Sequence, residues 1–138
     1  MHITHVSFCD VVSSASRIHN ICDIYYIDEP RGYLTSPGYP NQYRTDLSCT
    51  SEIVQKPSYG TKVQLLDLEI EERPKDPGCY DWLKLHEMEQ SIRMDYCGTL
   101  ETMIPETQHV FNHLEITFIA DSMNAFRGFL LKYERKCM

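Results

Sequence analysis

Short stretches of alternating apolar and polar residues, separated by turns rich in proline and glycine, run through most of the chain. In the stretch 64–71 the apolar residues Leu66, Leu68 and Ile70 alternate with acidic residues, which places the two kinds on opposite faces of a strand. Similar strands are predicted at 82–86, 114–118 and 129–133. No segment has a sustained helical stripe. The pattern therefore predicts an all-β, antiparallel β-sandwich.

One strand departs from simple alternation. Val63 and Leu65 fall on the polar side of the count that places Leu66, Leu68 and Ile70 on the apolar side. An extra residue in one strand of a pair reverses the faces in this way, so we predict a β-bulge near Leu66.

Composition limits the partners that the chain can bind. The 138 residues suit one domain, with 20 acidic and 13 basic side chains and a net charge of -7. A nucleic-acid partner needs a basic face, which this balance disfavours, whereas a cationic partner fits it. No stretch approaches the roughly 18 apolar residues of a membrane span.

The cysteines and the first residues point to different compartments. The start of the chain lacks the basic and apolar regions of a secretory signal. However, the six cysteines contain no C-x-x-C pair, which favours an even-numbered disulfide framework over a zinc site. We therefore interpret the chain as a mature part of a secreted or cell-surface protein. Spacing alone does not choose among the possible pairings.

An enzymatic function has little support. His109 and His113 are not part of an HExxH motif, and the chain has neither G-x-S-x-G nor a phosphate-binding loop. Glu71 and Asp81 could imitate the acid pair of a glycosidase, but a metal site accounts for more of the pattern. We predict that the chain is not an enzyme.

Five landmarks, taken in order, resemble the CUB domain family. They are the loop from Ser36 to Tyr43, the strand from Val63 to Glu71, the run Cys79 to Leu83, the triplet Tyr96 to Gly98, and the segment Phe118 to Phe129. The resemblance covers about Cys22 to Glu134. It implies a domain at 22–134, with 1–21 as an irregular leader and 135–138 as a tail that contains Cys137. Ser51 replaces an aromatic residue that is common in the family.

The resemblance also implies a disulfide pairing. In CUB domains the first two core cysteines pair and so do the next two, which here join Cys22 with Cys49 and Cys79 with Cys97. Cys9 and Cys137 lie outside the matched region. They either join each other, since the ends of a domain often lie close together, or pair with a partner outside the chain.

A calcium site follows from the same resemblance. The family pattern assigns the side-chain ligands to Glu71, Asp81 and Asp121, and it assigns to Tyr43 a hydrogen bond that braces them. Two further family positions fall on Met123, through its carbonyl, and on Asn124, through an oxygen. Ca²⁺ takes about six to eight oxygen ligands, and three clustered carboxylates without a cation would raise one another's pKa.

The function implied by the resemblance is calcium-dependent protein binding outside the cell. We expect Glu71, Asp81 and Asp121 to capture a lysine or arginine of an extracellular or cell-surface partner, with Ser122 and Asn124 adding contacts. The parent protein could be a protease, a receptor or a receptor-accessory protein. The alternative is a carbohydrate- or glycosaminoglycan-binding module, or a calcium-independent adhesion module, resembling the spermadhesins. The acidic charge disfavours sulfated sugars.

Overall fold

A computed structural model describes residues 17–73, 78–100 and 110–137, and these residues form two facing β-sheets around one core. The strands in the described part of the chain are β1 (Arg17–Asn20), β2 (Tyr26–Ile27), β3 (Arg31–Thr35), β4 (Leu47–Val54), β5 (Tyr59–Ile70), β6 (Trp82–Glu87), β7 (Ile92–Tyr96), β8 (Gly98–Thr99), β9 (Val110–Phe111), β10 (His113–Ala120) and β11 (Gly128–Cys137). The prediction of an all-β sandwich is confirmed.

The two sheets are mixed. One has the order β1-β3-β11-β5-β8, with β9 also paired to β5, and the other has the order β2-β4-β10-β6-β7. The pairs β1 with β3 and β2 with β4 are parallel, whereas the long central pairs are antiparallel. The predicted antiparallel arrangement therefore holds for the centre of each sheet but not for the edges formed by the first two strands.

Both ends of the described chain are more regular than the sequence suggested. Residues 17–20, which we assigned to an irregular leader, form β1 beside β3, and Ile21 is buried in the core. The sequence 17–20 has no apolar alternation, so its strand comes from hydrogen bonding to β3. At the other end β11 continues through residues assigned to the tail, as far as Cys137. Residues 1–16 of the expected leader lie outside the described residues.

The predicted bulge lies at Leu66. Leu130 of β11 is opposite Asp67 and Leu131 is opposite Leu65, which leaves Leu66 as the extra residue. Leu68 and Ile70 are buried as expected, but Leu66 is 37% exposed rather than facing inward with them. The inward-facing residues are odd-numbered before the bulge, as at Val63, and even-numbered after it, as at Leu68 and Ile70. The bulge therefore places Asp67 and Glu69 on the outer face.

A buried serine occupies the position where the family commonly has an aromatic residue. Ser51 is fully buried, and its hydroxyl donates hydrogen bonds to the carbonyls of Ile24 at 2.6 Å and Ile21 at 3.3 Å. Because a buried hydroxyl needs such partners, Ser51 ties the segment before β2 to the core by hydrogen bonds in place of aromatic packing.

Two disulfides join Cys22 with Cys49 and Cys79 with Cys97, which is the pairing that the resemblance implies. Cys137 is also disulfide-bonded. The predicted pairing of Cys137 with Cys9 lies outside the described residues. The described residues contain no helix that could span a membrane.

Candidate metal centre

Three carboxylates from distant parts of the sequence meet at one edge of the sandwich. Glu71 follows the end of β5, Asp81 precedes the start of β6, and Asp121 follows the end of β10. Since β6 and β10 are antiparallel neighbours, the start of one lies beside the end of the other. One carboxylate oxygen from each residue lies within 4.8 Å of the other two. The structure thus brings together the three acids that the sequence analysis selected.

Tyr43 holds the cluster from the inside. Its ring is buried and packs edge-on against Phe118, with 4.9 Å between the ring centroids. Its hydroxyl donates a hydrogen bond to Asp81 Oδ2 at 2.5 Å and accepts a long one, 3.5 Å, from the backbone N–H of Glu71. Burial, and then the bond to Asp81, raise the pKa of Tyr43, so the hydroxyl keeps its proton and remains a donor.

Backbone hydrogen bonds fix the three ligand segments to one another. The N–H of Asp121 donates to Asp81 Oδ1 at 2.8 Å, and the N–H of Asp81 donates to the carbonyl of Glu71 at 3.3 Å. The carbonyl of Asp121 accepts a further bond from the N–H of Asp46 at 2.8 Å. The Cys79–Cys97 disulfide, two residues before Asp81, anchors the segment that carries this ligand.

Asp81 is an unfavourable place for a negative charge without a cation. Its side chain is fully buried, and this burial raises the pKa of Asp81 to about 6. The hydrogen bonds from Tyr43 and from the Asp121 N–H oppose the rise, while the charges of Asp121 and Glu71 add to it. A bound cation would reverse the effect of both neighbouring charges and would favour the ionised form.

One buried carboxylate oxygen of the cluster is left without a hydrogen bond in the part of the chain that the structure describes. Glu71 is only 9% exposed, and its Oε2 accepts a hydrogen bond from Asn124 Nδ2 at 2.8 Å. Its Oε1 is buried and has no hydrogen-bond partner among the described residues. An unsatisfied buried carboxylate oxygen is costly, and beside two further carboxylates it suits a hard dication such as Ca²⁺.

The residues after Asp121 form an exposed rim. Met123 is linked to the cluster by its backbone N–H, which donates to Asp121 Oδ1 at 3.0 Å, and the residue is 63% exposed. Asn124 has a positive φ of 57°, and its amide nitrogen faces Glu71, whereas we expected an oxygen to contribute. Ser122 is exposed. The loop thus presents polar groups around the opening of the site.

Sequence reasoning missed an ion-pair network beside the cluster. Arg127 binds Asp67 through two nitrogens, each at 2.7 Å, and Glu69 through a third at 2.8 Å. The Tyr39 hydroxyl also donates to Asp67, at 2.5 Å. The Arg127 hydrogen bonds hold the pKa of Asp67 below its usual range. The only sequence signal was the basic residue immediately before Gly128.

We predict that Tyr43→Phe weakens calcium binding about tenfold, because the ring still packs but Asp81 loses the hydrogen bond that orients it. Tyr133→Phe is the matched control, since it also removes a buried hydroxyl, one that donates to Glu29 at 2.9 Å. Each variant should lose about 1 kcal/mol of unfolding free energy in urea titrations. Only Tyr43→Phe should change the calcium affinity measured by calorimetry; an equal effect in both variants would contradict the bracing role.

Comparisons with known proteins all point to one family. A family model described as the CUB domain matches residues 22–133. The protein SpAN of Strongylocentrotus purpuratus is 27% identical over 94% of this chain, and human neuropilin-2 is 32% identical over 75% of it. The matched part of the chain spans 22% of the length of SpAN and 12% of the length of neuropilin-2.

Solved structures share the fold. A crystal structure of the MASP-1 CUB2 domain bound to Ca²⁺ is 26% identical, with a TM-score of 0.70 over 80% of this chain and 96% of that domain. The full extracellular region of zebrafish Gpr126/Adgrg6 matches 86% of this chain, which covers 15% of that structure, with a TM-score of 0.69 at 23% identity. The second likeness supports the fold alone.

Proposed function

The chain belongs to the CUB domain family, and on that premise we propose that it is an extracellular, calcium-dependent protein-interaction module. In this proposal Glu71, Asp81 and Asp121 hold Ca²⁺ and together capture one lysine or arginine of a partner protein. The observation that carries the proposal is the buried Oε1 of Glu71, which lies beside two other carboxylates and has no hydrogen-bond partner in the described ranges.

The donor set supports calcium as the cation. Within the described part of the chain, the side-chain donors that converge are all carboxylate oxygens, the ligands that a hard dication prefers, and none is a histidine or cysteine. Met123 and Asn124 lie at the rim, where a backbone carbonyl or an amide oxygen could complete the shell. Tyr43 orients Asp81 through its hydroxyl and needs no direct contact with the ion. The MASP-1 CUB2 relative, whose crystal structure contains Ca²⁺, supports the same assignment.

The charge of the site supports a basic partner. Three ionised carboxylates carry three negative charges, and bound calcium would cancel two of them. One negative charge then remains at an edge of the domain where Asp121 is partly exposed and Ser122, Met123 and Asn124 are exposed. A single ammonium or guanidinium group matches that charge, and charge-assisted hydrogen bonds to carboxylates are short and directional.

The proposed location is outside the cell. Disulfides such as Cys22–Cys49 and Cys79–Cys97 form and persist in oxidising compartments. Extracellular modules bind calcium with dissociation constants on the order of 0.1–1 mM, and the calcium level outside cells keeps such sites filled. We propose an extracellular or cell-surface protein with an exposed lysine or arginine as the partner.

The basic-residue part of the proposal is tested with small probes. We expect N-acetyl-lysine amide, added to ¹⁵N-labelled protein with saturating calcium, to shift the backbone signals of Asp121, Ser122 and Asn124. N-acetyl-norleucine amide keeps the aliphatic stem but lacks the charge, so it should leave those signals in place. Equal shifts with both probes, or lysine shifts that persist after calcium is chelated, would contradict calcium-dependent capture of a basic group.

A further inference from the structure

Arg127 connects three segments that surround the candidate metal centre. It immediately precedes Gly128, the first residue of β11, and its guanidinium reaches across to two acids of β5. Nε and Nη2 bind the two oxygens of Asp67 at 2.7 Å each, and Nη1 binds Glu69 Oε2 at 2.8 Å. Asp67 also accepts the Tyr39 hydroxyl from the loop that contains Tyr43. A planar fork of this kind fixes direction as well as distance.

Arg127 also ends the loop that begins at the ligand Asp121. Between these two residues, Asn124 donates to Glu71, and the carbonyl of Phe126 accepts the N–H of Tyr43 at 2.9 Å. On the β5 side, Glu69 lies only two residues before Glu71. These contacts tie the loop that carries Asp121 to the end of β5, which carries Glu71.

We propose that Arg127 is a positioning residue for the calcium site: its fork on Asp67 and Glu69 holds the 121–127 loop against the end of β5, so that Asp121 and Glu71 stay at ligating distance. This inference rests on the proposed calcium-binding function. No contact joins Arg127 to Glu71, Asp81 or Asp121 among the hydrogen bonds and ion pairs of the described residues, so its effect passes through the acids and the loop that it ties together.

An electrostatic role and a positioning role for Arg127 predict opposite changes in calcium affinity when Arg127 is replaced. Its positive charge repels Ca²⁺, so a purely electrostatic residue would, once replaced by a neutral one, give equal or tighter calcium binding. Screening over about 8 Å at physiological salt would make that gain small. If Arg127 is a positioning residue, loss of its fork weakens calcium binding even when the positive charge is kept.

The test is calcium titration by calorimetry of wild type, Arg127→Met and Arg127→Lys. Arg127→Lys keeps the charge but cannot bind two carboxylates through a planar fork. We expect both variants to bind calcium about tenfold more weakly than wild type. Lys136→Met is the matched control, because it removes an ion pair, Lys136–Glu134 at 3.0 Å, from β11, the strand that Arg127 precedes. The two basic side chains have similar exposure, 38% for Lys136 and 40% for Arg127. It should bind calcium as wild type does.

Each outcome separates this inference from the function on which it rests. If wild type fails to bind calcium, the proposed function fails and the positioning inference falls with it. If wild type binds and the two Arg127 variants bind as tightly or more tightly, the inference alone is overturned. Thermal unfolding in chelator identifies general loss of structure: a purely structural role would lower the melting temperature but leave the calcium-induced rise in melting temperature unchanged, whereas positioning reduces that rise.

Discussion

Asp81→Asn is expected to abolish measurable calcium binding while leaving the calcium-free protein folded and at least as stable as wild type. The substitution removes a ligand charge from the centre of the cluster but keeps the size and shape of a fully buried side chain. Burial, Asp121 and Glu71 all make the ionised carboxylate of Asp81 unfavourable in the absence of a cation. A neutral amide escapes these costs. Its oxygen can accept the hydrogen bond from the Asp121 N–H, and its nitrogen can donate to the hydroxyl oxygen of Tyr43.

The measurement is calorimetric calcium titration together with thermal unfolding, each with and without chelator. Asp95→Asn is the control, because Asp95 is an exposed acid on β7 and its substitution changes the net charge by the same amount. It should keep the wild-type affinity and the calcium-dependent rise in melting temperature. Calcium affinity in Asp81→Asn within twofold of the control would remove Asp81 from the ligand set.

Gly128→Ala is expected to have the largest effect on folding, a loss of about 3 kcal/mol or more of unfolding free energy. Gly128 has a φ of +93°, which side-chain-bearing residues rarely adopt, and a Cβ at this position would lie 1.8 Å from Ser36 Oγ. Ser36 cannot easily move, since it is fully buried and its hydroxyl accepts the Phe129 N–H at 3.0 Å. Two fixed segments would therefore have to separate.

Gly38→Ala separates the steric part of this effect from the backbone part. Gly38 also has a positive φ, +75°, but a Cβ there would meet only the carbonyl of Gln42 at 3.9 Å, which is ordinary contact. Gly38→Ala should therefore cost only the conformational term, about 1–2 kcal/mol. Urea unfolding of the two variants measures the difference, and similar losses in both would show that the close approach of Ser36 to Gly128 contributes nothing.

The sequence predicted the central strands well because their pattern is local. Alternation marks β10, whose inward side chains Leu114, Ile116 and Phe118 are fully buried. The bulge at Leu66 was also detectable, because it interrupts an alternation that can be counted. In contrast, apolar and polar residues do not alternate in β1 (residues 17–20), and its extended conformation depends on pairing with β3. Backbone pairing produces a periodic sequence pattern only where one face of the strand is also buried, and β1 has no such alternation of buried and exposed residues.

The convergence of the three acids was predictable from the sequence, but the residues that hold them in place were not. Glu71, Asp81 and Asp121 each follow or precede a recognisable strand, and the family resemblance places all three in one site. Arg127 could not be found in the same way, since its acidic partners Asp67 and Glu69 lie about 60 residues earlier in the chain. The orientation of the Asn124 amide was also beyond the sequence, because it depends on a positive φ and on contact with Glu71.

Calcium titration of the oxidised wild-type protein by calorimetry tests the central claim most directly. We predict one site with a dissociation constant on the order of 0.1–1 mM, in the range of extracellular modules. Saturating calcium should also raise the melting temperature, because an ion that binds only the folded state stabilises it. The absence of both heat of binding and stabilisation at 10 mM calcium, a concentration about tenfold above the weakest affinity expected, would contradict the metal-centre account and leave the family assignment standing.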